Sequence, residues 1–102
     1  MGEMFMHNFI SPDTFLKIQD EITLRNTIVR LDNIMEVNDK ELDNISKDGA
    51  MHKVQELYLE IQKLEDLRNK AVMHQAKGVF DDATDYITKL EIQMSLFRSK
   101  YM

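Results

Sequence analysis

A chain of 102 residues, 43% of them apolar, can bury one modest core without staples; it holds no cysteine, which excludes disulfides, thiolate metal sites and a cysteine nucleophile. Its net charge of −5 belongs to the first half, where residues 1–50 carry ten acidic and five basic side chains, while residues 51–102 carry eight of each. An acidic half has the wrong sign for a phosphate backbone, so nucleic acid is not an expected partner.

No apolar run approaches the ~20 residues of a membrane-spanning helix. The opening MGEMFMHNFI lacks the basic leader and long apolar stretch of a signal peptide. A soluble, cytoplasmic protein with no membrane partner is expected. Period-two alternation is absent and only three Gly and one Pro punctuate the chain, so strands are not expected. The fold class is all-α: a three-helix antiparallel bundle whose long first helix associates it into a larger helical bundle.

Residues 1–10, with Met4, Phe5, Met6, Phe9 and Ile10, form an N-terminal strap or a flexible segment. Ser11-Pro12 then opens a helix, with Ser as N-cap, Pro at the first helical position and Asp13 favoured by the helix dipole. Ile10 and Phe15 are spaced for a hydrophobic staple. Helix 1 spans 12–46 and carries apolar residues on two opposite faces. Phe15, Ile18, Ile22 and Val29 stack on one side; Leu24, Ile28, Leu31 and Met35, continued by Asn38, Leu42 and Ile45, stack on the other. Asn38 either lies within this second seam or caps a new helix with Glu41, which would break helix 1 there.

Ser46-Lys47-Asp48-Gly49 reads as a turn, followed by helix 2 over 50–77 with the stripe Ala50, Val54, Leu57, Ile61, Leu64 and Ala71. Arg68 interrupts this seam. Lys77-Gly78 closes helix 2, with Gly at the left-handed position, and Asp81 or Asp82 caps helix 3 over 82–101. Its stripe is Ala83, Ile87, Leu90, Met94, Phe97 and Tyr101, with Ile92 and Leu96 on the far side.

A helix with two apolar faces needs two partners, and a third helix of about 30 Å cannot cover a first helix of about 50 Å. One end of helix 1 therefore stays uncovered. The candidate partner interface is Leu24, Ile28, Leu31 and Met35 with Asn38 as a register-setting polar residue, and Ile92 and Leu96 form a second patch.

Chemistry-bearing patterns are missing. His7, His52 and His74 lie in separate segments without paired-ligand spacing. The run Asp39, Glu41, Asp43 starts like a calcium loop but has Asn44 in place of the turn glycine and Ala50 in place of the bidentate Glu. Leu24-Arg25, Ile28 and Leu31-Asp32 resemble the opening of the helical chorismate mutases, which would imply a dicarboxylate pocket. The further basic residues such a pocket requires are absent, with only Lys40 and Lys47 following Arg30 in an acidic stretch. Gly78, Phe80 and Ala83 resemble the corner of hairpins in several small helical modules, a packing signature. No cofactor, metal or small-molecule substrate is expected, and no enzyme activity. The expected function is a non-enzymatic helical protein-interaction module, an adaptor, chaperone or regulator acting as a homodimer. The alternative is a small acidic inhibitor covering a basic surface of a nucleic-acid-binding or host enzyme, motivated by the charge of the first half.

Overall fold

The structure, a computed structural model, describes residues 11–101; the expected strap at 1–10 and its Ile10–Phe15 staple lie outside them. Three helices follow one another: α1 (Pro12–Glu41), α2 (Lys47–Met73) and α3 (Lys77–Ser99). No strand occurs among the described residues, and the architecture is an all-α three-helix bundle. The particle is a rod of 66 × 21 × 17 Å with a radius of gyration of 18.0 Å, against about 13 Å for a compact domain of this size.

The capping chemistry explains most of the boundaries. Ser11 Oγ accepts from the Thr14 amide at 3.2 Å, and Pro12 follows at the first helical position. α1 then runs unbroken through Asn38 to Glu41, ending five residues before the expected limit at 46. Ser46 Oγ accepts from the Gly49 amide at 3.0 Å, so the serine expected in a turn instead starts α2 at Lys47, and Gly49 sits in its first turn. A Cβ on Gly49 would come within 2.9 Å of Ile45 Cγ1, so the glycine permits the close approach of the preceding turn.

The α2–α3 corner differs from expectation. The left-handed residue is Gln75, at φ 58°, rather than Gly78. The Ala76 amide donates to Ala71 O at 2.8 Å and the Gln75 amide to Val72 O at 3.2 Å, the two bonds of a Schellman ending. α2 therefore stops at Met73, and Gly78 and Asp81–Asp82 fall inside α3, where Asp81 bonds Lys77 at 2.8 Å. A single residue in the left-handed region moved both boundaries by about one turn.

The core is chiefly the α2–α3 interface. α2 gives it Ala50, Leu57, Ile61, Leu64, Leu67 and Ala71, and α3 gives Val79, Ala83, Ile87, Leu90 and Phe97. From α1 only Leu24 and Leu31 are fully buried apolar residues. Polar clasps hold α1 along its length. Asp20 meets His74 at 2.7 Å, Arg30 meets Glu60 at 2.7 Å, and the Tyr86 hydroxyl donates to Asp32 at 2.8 Å. Farther along, Lys53 pairs with Glu41 at 3.0 Å, while Lys100 Nζ and the Tyr101 hydroxyl donate to the carbonyls of Leu42 and Ile45. The clasps begin at Asp20, and no residue from Ser11 to Gln19 is buried, although Leu16 and Lys17 are half-buried and Lys17 lines a groove with the α2–α3 corner.

Candidate interaction surface

The two stripes of α1 are resolved by their neighbours. Leu24, Leu31 and Asn38 are buried within the single chain, and Ile28 and Met35 pack against the same core. This corrects the expected partner interface: its five α1 residues are the intramolecular seam. The physical reason lies in its length. That seam continues through Leu42 and Ile45, both of which pack on the core, and so matches the whole hairpin, whereas the opposite stripe ends at Val29.

At the centre of the inner seam is a buried polar network. Asn38 Nδ2 donates to Gln93 Oε1 at 2.9 Å, and Gln93 Nε2 donates to Met35 O at 3.0 Å and to Asp39 Oδ1 at 2.9 Å. Asn38 Oδ1 has no hydrogen-bond partner among the described residues. Asn38 thus sits at a seam position and ties α1 to α3 in one register. Gln93 was not singled out from sequence, although its place three residues after Leu90 and four before Phe97 puts it on the core face. Arg68, the interruption in the α2 seam, lies over the Phe80 ring at 6.0 Å.

The outward face of α1 is the stripe Phe15, Ile18, Ile22 and Val29. Phe15 and Ile22 are each 49% exposed and Val29 is 61% exposed. Seven-residue steps drift by only ~20° around a helix, so Phe15, Ile22 and Val29 form a near-straight row with Ile18 between the first two. Beyond Val29 this face turns polar with Asn33, Glu36 and Lys40, Val37 lying on its flank. Glu21 and Arg25 border the row, and neither makes an ion pair among the described residues. Of the other α1 carboxylates all but Asp13 are committed: Asp20, Asp32, Glu36, Asp39 and Glu41 bond within the chain.

Other apolar residues are exposed as well, among them Leu59, Val72 and Met73 on α2. Ile92 and Leu96 are exposed at 58% and 48% on the far side of α3. On the hairpin face away from α1, Met51, Tyr58 and Tyr101 are exposed beside half-buried Val54 and Met94, over shallow grooves of about 460 and 450 Å³. A third groove of about 570 Å³ runs between α1 and the α2–α3 corner, where Lys17, Arg25 and Lys77 mix with Glu21 and Asp82. The mixed signs there select no charged ligand. Among the described residues there is no cluster of three or more His, Asp or Glu side chains placed to hold a metal, and no helix is long and apolar enough to cross a membrane. No protein-family model matches the chain, and no curated protein or solved structure matches it either.

Proposed function

We propose that this chain is a cytoplasmic, non-enzymatic helical interaction module, an adaptor, chaperone or regulator, that associates through the outer face of α1 and forms a homodimer. The observation that carries the reading is the half-exposed row Phe15, Ile18, Ile22 and Val29 on a helix whose opposite face is already filled. Fully burying such a side chain stabilises by about 1.5–3 kcal/mol, so completing a half-buried one gives about 1 kcal/mol. The eight side chains of a symmetric pair then supply roughly 8 kcal/mol, comparable to the cost of association, about 4–15 kcal/mol. The result is a weak dimer that dissociates on dilution.

The acidic-inhibitor reading is less favoured, because most α1 carboxylates are engaged inside the chain and do not form a free acidic face. Light scattering across a concentration series tests the proposal on the wild type and on the double variant Ile22→Gln/Val29→Gln. Association of the wild type, lost in the variant with helicity retained, is the expected result. Equal association of both proteins would remove the outer face of α1 from consideration. Leu24→Gln, by contrast, should lower stability sharply, since Leu24 lies in the core.

A further inference from the structure

We infer that the occupant of this face is α1 of a second copy, running antiparallel, with the two-fold axis passing beside Ile22; the inference rests on the homodimer reading above. Phe15 and Val29 each stand seven residues from Ile22, so the row is symmetric about its middle. An antiparallel copy centred on Ile22 sets Ile22 against the partner's Ile22 and Phe15 against the partner's Val29, twice. Large and small side chains face each other at both ends. The interface is isologous and closes at two chains.

The charges agree with this direction. Arg25 occupies the place between Ile22 and Val29 that Ile18 occupies between Phe15 and Ile22. In the antiparallel pair Arg25 stands opposite the partner's Gln19, two residues or about 3 Å of helix rise from the partner's Glu21. The symmetric pairing of Glu21 with Arg25 therefore forms twice, from side chains that make no ion pair among the described residues. A parallel pair would instead set Arg25 level with the partner's Arg25, a like-charge contact, and would leave Glu21 level with the partner's Glu21. The extent of the apolar row points the same way. α1 begins at Pro12, and a copy centred on Ile22 places its own Pro12 opposite Asp32; the outer face becomes polar at Asn33, where that copy's helix ends. The first turn of α1, exposed from Pro12 to Phe15, then lies along the partner's Val29 and Asp32.

The absence of cysteine makes the test direct. Single variants Phe15→Cys, Ile22→Cys and Val29→Cys, each checked for retained helicity, are treated with a short bismaleimide at a concentration where the wild type is dimeric. The arrangement predicts that Ile22→Cys links to itself, and that Phe15→Cys links to Val29→Cys when the two are mixed but poorly to itself. Efficient self-linking of Phe15→Cys would overturn it in favour of a parallel pair and leave the homodimer reading standing. Independently, Glu21→Arg and Arg25→Glu should each weaken dimerisation roughly tenfold, and the double reversal in one chain should restore it. Failure of the double variant to recover would also overturn the pairing. A wild type that stays monomeric at several hundred micromolar would remove both the antiparallel pair and the homodimer, leaving the outer face to a different protein.

Discussion

The buried Asn38–Gln93 pair makes a sharp energetic prediction. Replacing Asn38 with Leu removes one buried hydrogen bond, worth about 1 kcal/mol, and leaves Gln93 Oε1 without its donor at about 1–3 kcal/mol. It also removes Asn38 Oδ1, which has no hydrogen-bond partner among the described residues, and recovers part of that cost. The expected net loss is about 2 kcal/mol. Gln93→Leu is worse, at about 3 kcal/mol, because it strands Asn38 Nδ2, keeps the orphaned Oδ1 and frees Asp39 Oδ1. The double variant Asn38→Leu/Gln93→Leu eliminates every stranded atom of the pair and extends the seam beside Leu31, Leu90 and Phe97, so it should be close to wild type or more stable. Urea unfolding followed by circular dichroism gives the four free energies, with unchanged m-values as the check on two-state behaviour. A coupling of at least 2 kcal/mol is expected. Single effects that simply add, within about 0.5 kcal/mol, would refute the view that the two amides act as a unit. The double variant should also lose register specificity, since a uniformly apolar seam no longer distinguishes one α1–α3 alignment from the next.

Other consequences follow from local chemistry. Gln75→Gly relieves a non-glycine residue at φ 58° and should stabilise by about 1 kcal/mol; Gly78→Ala, where an added Cβ meets nothing within 4 Å, should gain about 0.5–1 kcal/mol, both measured by urea unfolding. The Tyr86 hydroxyl is held above its ordinary ionisation range by burial, then by its bond to the Asp32 carboxylate and the nearby charges of Asp32 and Asp82. The neutral phenol is therefore the form the fold favours. Its contribution, about 0.5–1 kcal/mol for this partly exposed bond, is fully present below pH 10 and lost as pH rises through the raised folded value. Tyr86→Phe should be less stable than wild type at neutral pH by that amount, and the gap should close in alkaline unfolding curves. Hydrogen exchange should find α1 amides less protected than those of α2 and α3, because α1 adds only Leu24 and Leu31 to the fully buried apolar core.

Much of the fold was legible because local signals carry it. Ser11-Pro12 marks the start of α1, and the four-three rhythm marks the core faces of α2 and α3. The α2–α3 boundary was misplaced because glycine is the default left-handed residue, whereas the Ala71–Ala76 and Val72–Gln75 bonds put a glutamine there. The site was legible only by half. Periodicity shows that α1 has two apolar faces, but it cannot show which one turns inward. That is decided by partners far along the chain: His74 for Asp20, Tyr86 for Asp32 and Gln93 for Asn38. None of these leaves a local trace. The exposed apolar residues of α1 include Phe15, Ile18 and Ile22 rather than the Leu24–Met35 stripe.

The way α1 is held bears on how association would work. α1 is fixed to its own chain by two buried leucines, by partly buried Ile28, Ile34 and Met35, and by a set of polar clasps. Its clasps are specific in geometry but contribute modestly each, since most stand partly in water. The larger uncompensated apolar area of its first half faces outward. Covering that face would stabilise α1 in place on the hairpin, because any partner that binds the docked helix and not the detached one shifts the docking equilibrium by mass action. Binding through α1 and ordering of α1 are then a single linked process. On the proposed homodimer, the tightness of α1 on the hairpin would then rise with the fraction of chain that is paired.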